Sequence, residues 1–270
     1  MLGAIIGDVA GSRFEWEPLK SKDFTLLSRD LGCRLTDDSV MTLAIADAIL
    51  ACEGDYSDLG RRAVASMQAL GRAYPQAGYG GRFAQWLTQE DPKPYHSYGN
   101  GAAMRVSPCG FAASSLEEAV ALSRAVTEVT HDHPEAMKAA EAVASAIYLA
   151  RTGATLPDLR AFIEANYYPI DFTLDQIRPD YVFDVSCQGS VPQAFASLFE
   201  STGYEDAIRN GISLGGDSDT IAAITGGMAQ ALYGVPADLR AQVLPFLDRR
   251  QRAIFDRFEA VFGRPEERSH

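Results

Sequence analysis

Two short segments of the sequence bring carboxylates and hydroxyls close together. Residues 36–39 (TDDS) and 215–220 (GGDSDT) each hold two aspartates beside serine or threonine. Each segment comes directly before a run of small and apolar residues with helical spacing. Taken singly, each predicts a helix N-terminus, because Thr36 and Asp217 are good N-cap residues and first-turn acids favour the helix dipole.

The two acidic segments together favour metal binding. Both lead into apolar helices of the core, so Asp37, Asp38, Asp217 and Asp219 would converge inside the protein, repel one another and be desolvated. A hard divalent cation resolves that conflict, since Mg²⁺, Mn²⁺ and Ca²⁺ take oxygen ligands, and the number of donors suits two ions better than one. The order is not that of an EF-hand. A capping-only alternative stays open: it predicts that Asp37→Asn costs about 1 kcal/mol and leaves metal binding unchanged.

Other residues could contact a ligand. Residues 100–105 (NGAAMR) are small enough for backbone contact with a phosphate, which Arg105 could pair with; the alternative is a tight turn with Arg105 solvated or salt-bridged. Residues 131–133 (HDH) lack a third soft ligand, so we expect His131 to bond ligand or backbone and expect no zinc site. Glu15 stands where the first helix runs out and could reach a cleft, whereas Asp8 is expected to be buried and hydrogen-bonded.

Helical periodicity dominates the elements that must position these residues. It predicts helices over residues 40–50, 135–150, from 221 onward and 239–261, the last interrupted at Pro245. Glycines at positions 3, 7 and 11 indicate close helix–helix packing. Strand signals are confined to short extended pieces at 172–174 and 181–183. We therefore expect an all-α, orthogonal multi-helix bundle, a single domain over residues 1–270, whose long loops at 15–34, 74–107 and 170–190 build the site.

Composition sets the class of protein. The chain has 270 residues, 47% hydrophobic and 22% charged, which predicts a packed globular core. The net charge of −12 without a basic stripe disfavours duplex binding, although an anionic nucleotide-like ligand is allowed. The short apolar N-terminus lacks a basic region, and no apolar run approaches a membrane span, so neither signal peptide nor membrane helix is expected. Four widely spaced cysteines without CxxC indicate free thiols, and we expect a cytoplasmic monomer.

Several motifs, taken in order, resemble the ADP-ribosylglycohydrolases, a family that includes the dinitrogenase reductase-activating glycohydrolase and the ADP-ribosylarginine and ADP-ribosylserine hydrolases. The motifs are GAIIGD at 3–8, GSRFE at 11–15, TDDS at 36–39, GNGAAMR at 99–105, TH at 130–131, CQGSVPQA at 187–194 and GGDSDT at 215–220. The resemblance covers nearly the whole chain. It implies an all-α fold with a binuclear Mg²⁺ or Mn²⁺ centre.

The resemblance also implies roles for individual residues. The implied metal ligands are Thr36, Asp37, Asp38, Asp217, Asp219 and Thr220. The implied substrate-binding residues are Asn100, Gly101, Met104, Arg105, His131, Gly215 and Gly216. The implied catalytic residues are Asp37, Asp38 and Glu15. A pyrophosphate would lie against backbone N–H groups of residues 100–104.

The implied activity is hydrolysis of the bond joining ADP-ribose to a modified target, with ADP-ribosylarginine on protein ranked first. Serine-linked, nucleic-acid and small-molecule conjugates stay open, as does another phosphate or nucleotide substrate on the same scaffold. A non-catalytic ADP-ribose-binding protein is the alternative from a different class. All six implied metal ligands are present, which speaks against that alternative.

Overall fold

The computed structural model describes residues 1–263, and these form an array of α-helices. In chain order the helices are α1 (Leu2–Gly11), α2 (Asp37–Ala51), α3 (Leu59–Ala73), α4 (Gly81–Trp86), α5 (Ser107–Ala112), α6 (Leu116–Thr127), α7 (Pro134–Arg151), α8 (Leu156–Asn166), α9 (Leu174–Ile177), α10 (Cys187–Phe199), α11 (Tyr204–Ile212), α12 (Ser218–Tyr233), α13 (Ala237–Val243) and α14 (Arg249–Phe262). Over residues 1–263 the only β pairing is an isolated antiparallel bridge between Gly99 and Ser186. The predicted all-α class is confirmed.

The core is built around α1 and α12, which pack tightly along their length. Every residue of α1 is buried. A Cβ added to Gly3 would lie 2.2 Å from the carbonyl oxygen of Gly226, and one added to Gly7 would lie 2.0 Å from that of Ala222. The glycines of α1 therefore let the two backbones approach directly, as their four-residue spacing predicts.

The remaining helices enclose this pair. Helix α2 packs on α3, α14 and α1, and α7 packs on α5, α6 and α12. One contiguous apolar core runs from Met1 to Phe258. All four cysteines are buried free thiols, as their spacing predicts. No helix within residues 1–263 is both long enough and apolar enough to cross a membrane.

Local sequence signals set most helix boundaries. Ser115 caps α6 by accepting a hydrogen bond from the backbone N–H of Glu118 at 3.1 Å, and Pro134 is the first residue of α7. The expected break at Pro245 is confirmed, because α13 ends at Val243 and a single 3₁₀ turn precedes α14.

Neither of the two extended pieces forms a strand. At 172–174 the β-branched Thr173 instead caps α9, with Gln176 completing a reciprocal capping box. Residues 181–183 run irregularly and take part in no β pairing. The loops at 15–34, 74–107 and 170–190 are long as predicted, although the second contains α4 and the third contains α9.

Candidate functional site

A cleft of about 430 Å³ opens where the N-termini of α2 and α12 meet the loop after α1 and the segment before α5. Five acidic side chains line it: Glu15, Asp37, Asp38, Asp217 and Asp219. Also lining it are Thr220, Asn100, Gly101, Met104, Arg105 and His131, together with Trp16, Arg82, Phe83, Tyr95, Phe183 and Val185. Residues assigned to the site from two distant acidic motifs and the 100–105 segment thus share one cavity.

Asp8 on α1 fixes the start of α2. Its Oδ2 accepts hydrogen bonds from the backbone N–H groups of Thr36 at 3.0 Å and Ser39 at 3.1 Å, while the Thr36 hydroxyl donates to Oδ1 at 2.6 Å. The expected buried, hydrogen-bonded Asp8 is confirmed. The sequence alone did not place Asp8 within the acidic site. The glycine spacing of α1 did indicate close packing of this helix against another one. A Cβ at Gly11 would lie 2.5 Å from the Cα of Asp219, so α1 docks beside the GGDSDT motif.

The carboxylates form two groups of three. Ligand atoms of Asp8, Asp38 and Asp219 all lie within 4.8 Å of one another, and the same holds for Glu15, Asp217 and Asp219. Asp219 belongs to both groups. All donors are oxygens, which suits a hard divalent cation and not zinc.

Asp38 carries a further sign that the site fits a cation. Its Oδ2 accepts from the Thr220 hydroxyl at 3.2 Å and lies 3.3 Å from the Thr36 hydroxyl. Its Oδ1 is buried and has no hydrogen-bond partner among the described residues. An orphaned carboxylate oxygen in a buried site is costly unless a ligand completes it.

The electrostatics of the cluster agree with that reading. Burial raises the pKa of Asp8, and raises those of Asp38 and Asp219 well above the ordinary value, with the neighbouring aspartates adding to the latter two shifts. Burial, then the charge of Asp8, raises the pKa of Asp37 to about 7. Protons or cations must therefore compensate these groups.

Helix capping accounts for each acidic motif only in part; in the second, Asp219 accepts a hydrogen bond from the backbone N–H of Thr220 at 3.0 Å. Thr36 does cap α2, accepting from the backbone N–H of Asp38 at 3.4 Å. Asp217 occupies the N-cap position of α12 but makes no side-chain capping bond. Its Oδ2 instead accepts from Nδ2 of Asn100 at 2.7 Å, and the same amide donates to the Ser190 hydroxyl at 3.0 Å. Asn100 therefore orients Asp217 toward the cleft.

Residues 100–104 do not present the free backbone N–H groups that were expected to contact a pyrophosphate. The N–H of Asn100 donates to the carbonyl of Val185, that of Ala102 to Gly99, and those of Ala103 and Met104 to Asn100. Four of the five N–H groups are thus engaged within the protein, because the segment forms a 3₁₀ turn anchored on the loop before α10. A phosphate can meet side chains here, but not a row of free amides.

Arg105 is neither solvated nor salt-bridged. It is 1% exposed, donates to the Thr130 hydroxyl at 2.6 Å and to the Val126 carbonyl at 3.4 Å, and its Nε has no partner among the described residues. Desolvation lowers its pKa to about 10. His131 lines the cleft beside it, with Nδ1 2.7 Å from the Thr130 hydroxyl. Burial, then the charge of Arg105, holds the pKa of His131 well below its usual range, so its ring is neutral.

Three predicted site residues lie outside the wall of the cleft. Thr36 is buried against Asp8 and Asp38. Gly215 and Gly216 both adopt φ +71°, a left-handed conformation that glycine favours, and form the turn into α12. Their α-carbons face Pro18 and Tyr181 of the flanking loops. The two glycines form the turn that leads to Asp217, and they do not line the acidic part of the cleft.

Several lining residues escaped the sequence analysis, and four of them are large side chains in two contacting pairs. Arg82 lies with its guanidinium carbon 4.8 Å from the ring centroid of Tyr95, and both face the cleft near Arg105. Trp16 and Phe183 stack on each other with centroids 5.0 Å apart. Trp16 directly follows Glu15, which the sequence analysis singled out, whereas nothing local marks the others, since loop geometry places them.

Comparison with known proteins places the chain in a family. The model of the family described as ADP-ribosylglycohydrolase matches residues 1–267. The chain is 29% identical over 268 residues to the ADP-ribosylarginine hydrolase Tri1 of Pseudomonas putida (strain GB-1), covering 87% of this chain and 70% of the relative. It is 26% identical to the ADP-ribosylhydrolase ARH3 of Xenopus tropicalis, covering 87% and 86%.

A solved structure titled ADP-ribosylglycohydrolase-related protein complex superposes with a TM-score of 0.68 at 24% identity. The match covers 96% of this chain and 95% of that one, which shows a shared fold. With the family model matching almost end to end, the chain belongs to the ADP-ribosylglycohydrolase family.

Proposed function

We propose that this protein is a hydrolase that releases ADP-ribose from a modified target with the help of two divalent cations, Mg²⁺ or Mn²⁺. The observation that carries the proposal is the pair of three-carboxylate groups sharing Asp219 at one end of the cleft. Two such groups side by side suit two neighbouring ions better than one.

The first ion would be held by Asp8, Asp38 and Asp219, with the hydroxyls of Thr36 and Thr220 beside Asp38. The second would be held by Glu15, Asp217 and Asp219. This assignment adds Asp8 and Glu15 to the metal ligands implied by the sequence. Asp37 belongs to neither of the two three-carboxylate groups. Bound divalent cations supply Lewis acidity and lower the pKa of a coordinated water.

The residues of the chain supply the proton transfer. Asp37 lines the cleft beside the three-carboxylate groups and belongs to neither of them, so it is the first candidate for the proton acceptor. Glu15 also lines the cleft and is the alternative proton acceptor if Asp217 and Asp219 hold the second ion without it. The transition state of glycoside cleavage carries positive charge on the sugar, so the surrounding carboxylates stabilise it.

A second group of lining residues is suited to the remainder of ADP-ribose. Arg82 and Arg105 are its basic lining residues, and Tyr95 supplies an aromatic face. Arginine side chains pair with phosphate oxygens, whereas the backbone N–H groups of 100–104 are already engaged. The cleft therefore runs from an acidic end for the ribose to a basic end for the phosphates.

Arginine-linked ADP-ribose on protein is the first candidate substrate, supported by the 29% identity to one relative named ADP-ribosylarginine hydrolase, against 26% to the ARH3 relative. Serine-linked and small-molecule conjugates are the second. A purely binding role is disfavoured, since every acidic residue of the cluster is present and turned into one site.

The test is release of free ADP-ribose from an arginine-linked and a serine-linked peptide, with Mg²⁺ and with chelator. Wild-type activity should require metal, and Asp219→Asn and Asp37→Asn should each lower it at least a hundredfold. Asp238→Asn is the matched control, because Asp238 is likewise a first-turn acid, of α13, yet is exposed and outside the cleft. No release from either peptide by protein that binds Mn²⁺ would overturn the proposal.

A further inference from the structure

Two large aromatic side chains stand exposed at the cleft. Trp16 is 71% exposed and Phe183 is 41% exposed, and their rings stack at 5.0 Å with an interplanar angle of 24°. Both line the cleft that holds the carboxylates. Exposed aromatic surface is unfavourable in water, and a stacked pair beside a reactive cleft is typical of a recognition site.

The pair lies at the acidic end of the cleft. Trp16 directly follows Glu15 in the chain. Glu15 in turn groups with Asp217 and Asp219. Phe183 reaches the same place from the loop before α10. A group bonded to the ribose at this end would therefore meet two aromatic rings and a carboxylate.

Aromatic faces beside a carboxylate suit one kind of leaving group. A planar cation stacks on indole and phenyl rings, and a guanidinium also bonds a carboxylate through its N–H groups. The protein already brings such a group to Glu15: the guanidinium of Arg34 lies 3.8 Å from its Oε2, and that arginine is more than half exposed. A serine leaving group offers neither a planar cation nor several donors.

We propose that Trp16 and Phe183 form a leaving-group subsite that holds the guanidinium of an ADP-ribosylated arginine and so determines the preference of the enzyme for that linkage. This inference rests on the proposed hydrolase function and assigns it specificity-determining residues. The rings act on the target amino acid and not on ADP-ribose.

The first test is the ratio of kcat/KM for an arginine-linked peptide to that for a serine-linked peptide. Phe183→Leu keeps apolar volume but removes the π face, and it should lower the ratio about fivefold. Trp16→Ala should lower it as much or more, while Trp16→Phe, which keeps an aromatic face, should restore most of it. Val182→Ala is the matched control, because Val182 is 71% exposed on the same loop but does not line the cleft.

A second test needs no hydrolysis. The chain has two tryptophans, and Trp86 is only 1% exposed, so added ligands report on Trp16 through its fluorescence. Nα-acetylarginine amide should change this fluorescence saturably, with weaker binding in Phe183→Leu. Nα-acetylserine amide should not.

The outcomes separate the inference from the proposed function. An unchanged ratio in Phe183→Leu and Trp16→Ala, or an equal loss on both linkages, overturns the subsite while leaving the hydrolase intact. If wild-type protein releases ADP-ribose from neither peptide, the proposed function fails. The fluorescence titration then decides the subsite alone, and indistinguishable responses to the arginine and serine amides overturn it.

Discussion

Single carboxylates in this protein are held where isolated aspartates would be unfavourable. Asp38 keeps one oxygen without a hydrogen-bond partner among the described residues, and Asp219 shares its surroundings with both three-carboxylate groups. Such residues reduce the stability of the fold, and on the proposed assignment a bound cation would offset that loss. Stability and metal binding should therefore respond to substitution in opposite directions.

Asp219→Asn tests that opposition. Removing one buried charge relieves repulsion, so the metal-free variant should melt at or above the wild-type Tm. Mg²⁺ should stabilise wild type by about 2.7 kcal/mol at a hundred times its Kd and the variant hardly at all. Differential scanning fluorimetry with and without Mg²⁺ measures both effects. A variant that still gains wild-type stabilisation from Mg²⁺ would contradict the assignment of Asp219 as a shared ligand.

Asn100 is predicted to matter through Asp217. Asn100→Ala removes the bonds from Nδ2 to Asp217 and Ser190 in a buried position and should cost about 1–3 kcal/mol of unfolding free energy. Mg²⁺ affinity should fall as well, because Asp217 loses its orientation. Urea denaturation and Mg²⁺ titration measure the two effects. Asn166→Ala is the control, since Asn166 donates only to Phe162 one helical turn earlier and is exposed; an equal effect there would remove the special role of Asn100.

At the scale of elements, the site depends on how closely α1 and α12 approach. Helix α1 carries Asp8, and α12 begins at the second acidic motif, so their contact sets the distance between Asp8 and Asp219. Helix α2 enters the same place through the hydrogen bonds from Thr36 and Ser39 to Asp8. Three helices from distant parts of the chain thus converge on one cluster.

Gly7→Ala should separate α1 from α12. The new Cβ would lie 2.0 Å from the carbonyl oxygen of Ala222, which is backbone and cannot move aside alone, so we expect a loss of about 3 kcal/mol in unfolding free energy. Mg²⁺ stabilisation should weaken with it. Gly60→Ala in α3 is the helical control, because its Cβ would come no closer than 3.2 Å to the Ala125 carbonyl. Comparable stability losses in both variants would show that close approach is not the cause.

At the scale of the whole molecule, the buried acids link stability to pH. The folded-state pKa values of Asp8, Asp38 and Asp219 are raised by burial, and that of Asp37 is raised from 3.8 to about 7. At pH values between the unfolded pKa and the raised folded pKa of these groups, the folded protein binds more protons than the unfolded chain. Stability from these groups is therefore fully present below the unfolded pKa and is lost as pH rises through the folded pKa.

The Tm of metal-free protein should consequently fall as pH rises from about 4 toward 7, the interval that the pKa shift of Asp37 spans. Added Mg²⁺ should remove much of that fall at neutral pH, because cations then replace the protons. Thermal melts in chelator and in Mg²⁺ across this range measure the effect. A metal-free Tm that rises steadily with pH would contradict the acidic cluster as the dominant linked group.

The sequence by itself determined the all-α class, several of the helices and the acidic character of the site. Helical spacing and caps such as Ser115 and Pro134 depend on neighbours within four residues, so they are legible in the chain. The two acidic motifs predicted a cluster of carboxylates for the same reason. Only tertiary structure decided that Asp8 joins the cluster, that Asn100 holds Asp217, and that Trp16 meets Phe183. These partners are separated by tens to hundreds of residues, and helix packing, not local spacing, brings them together.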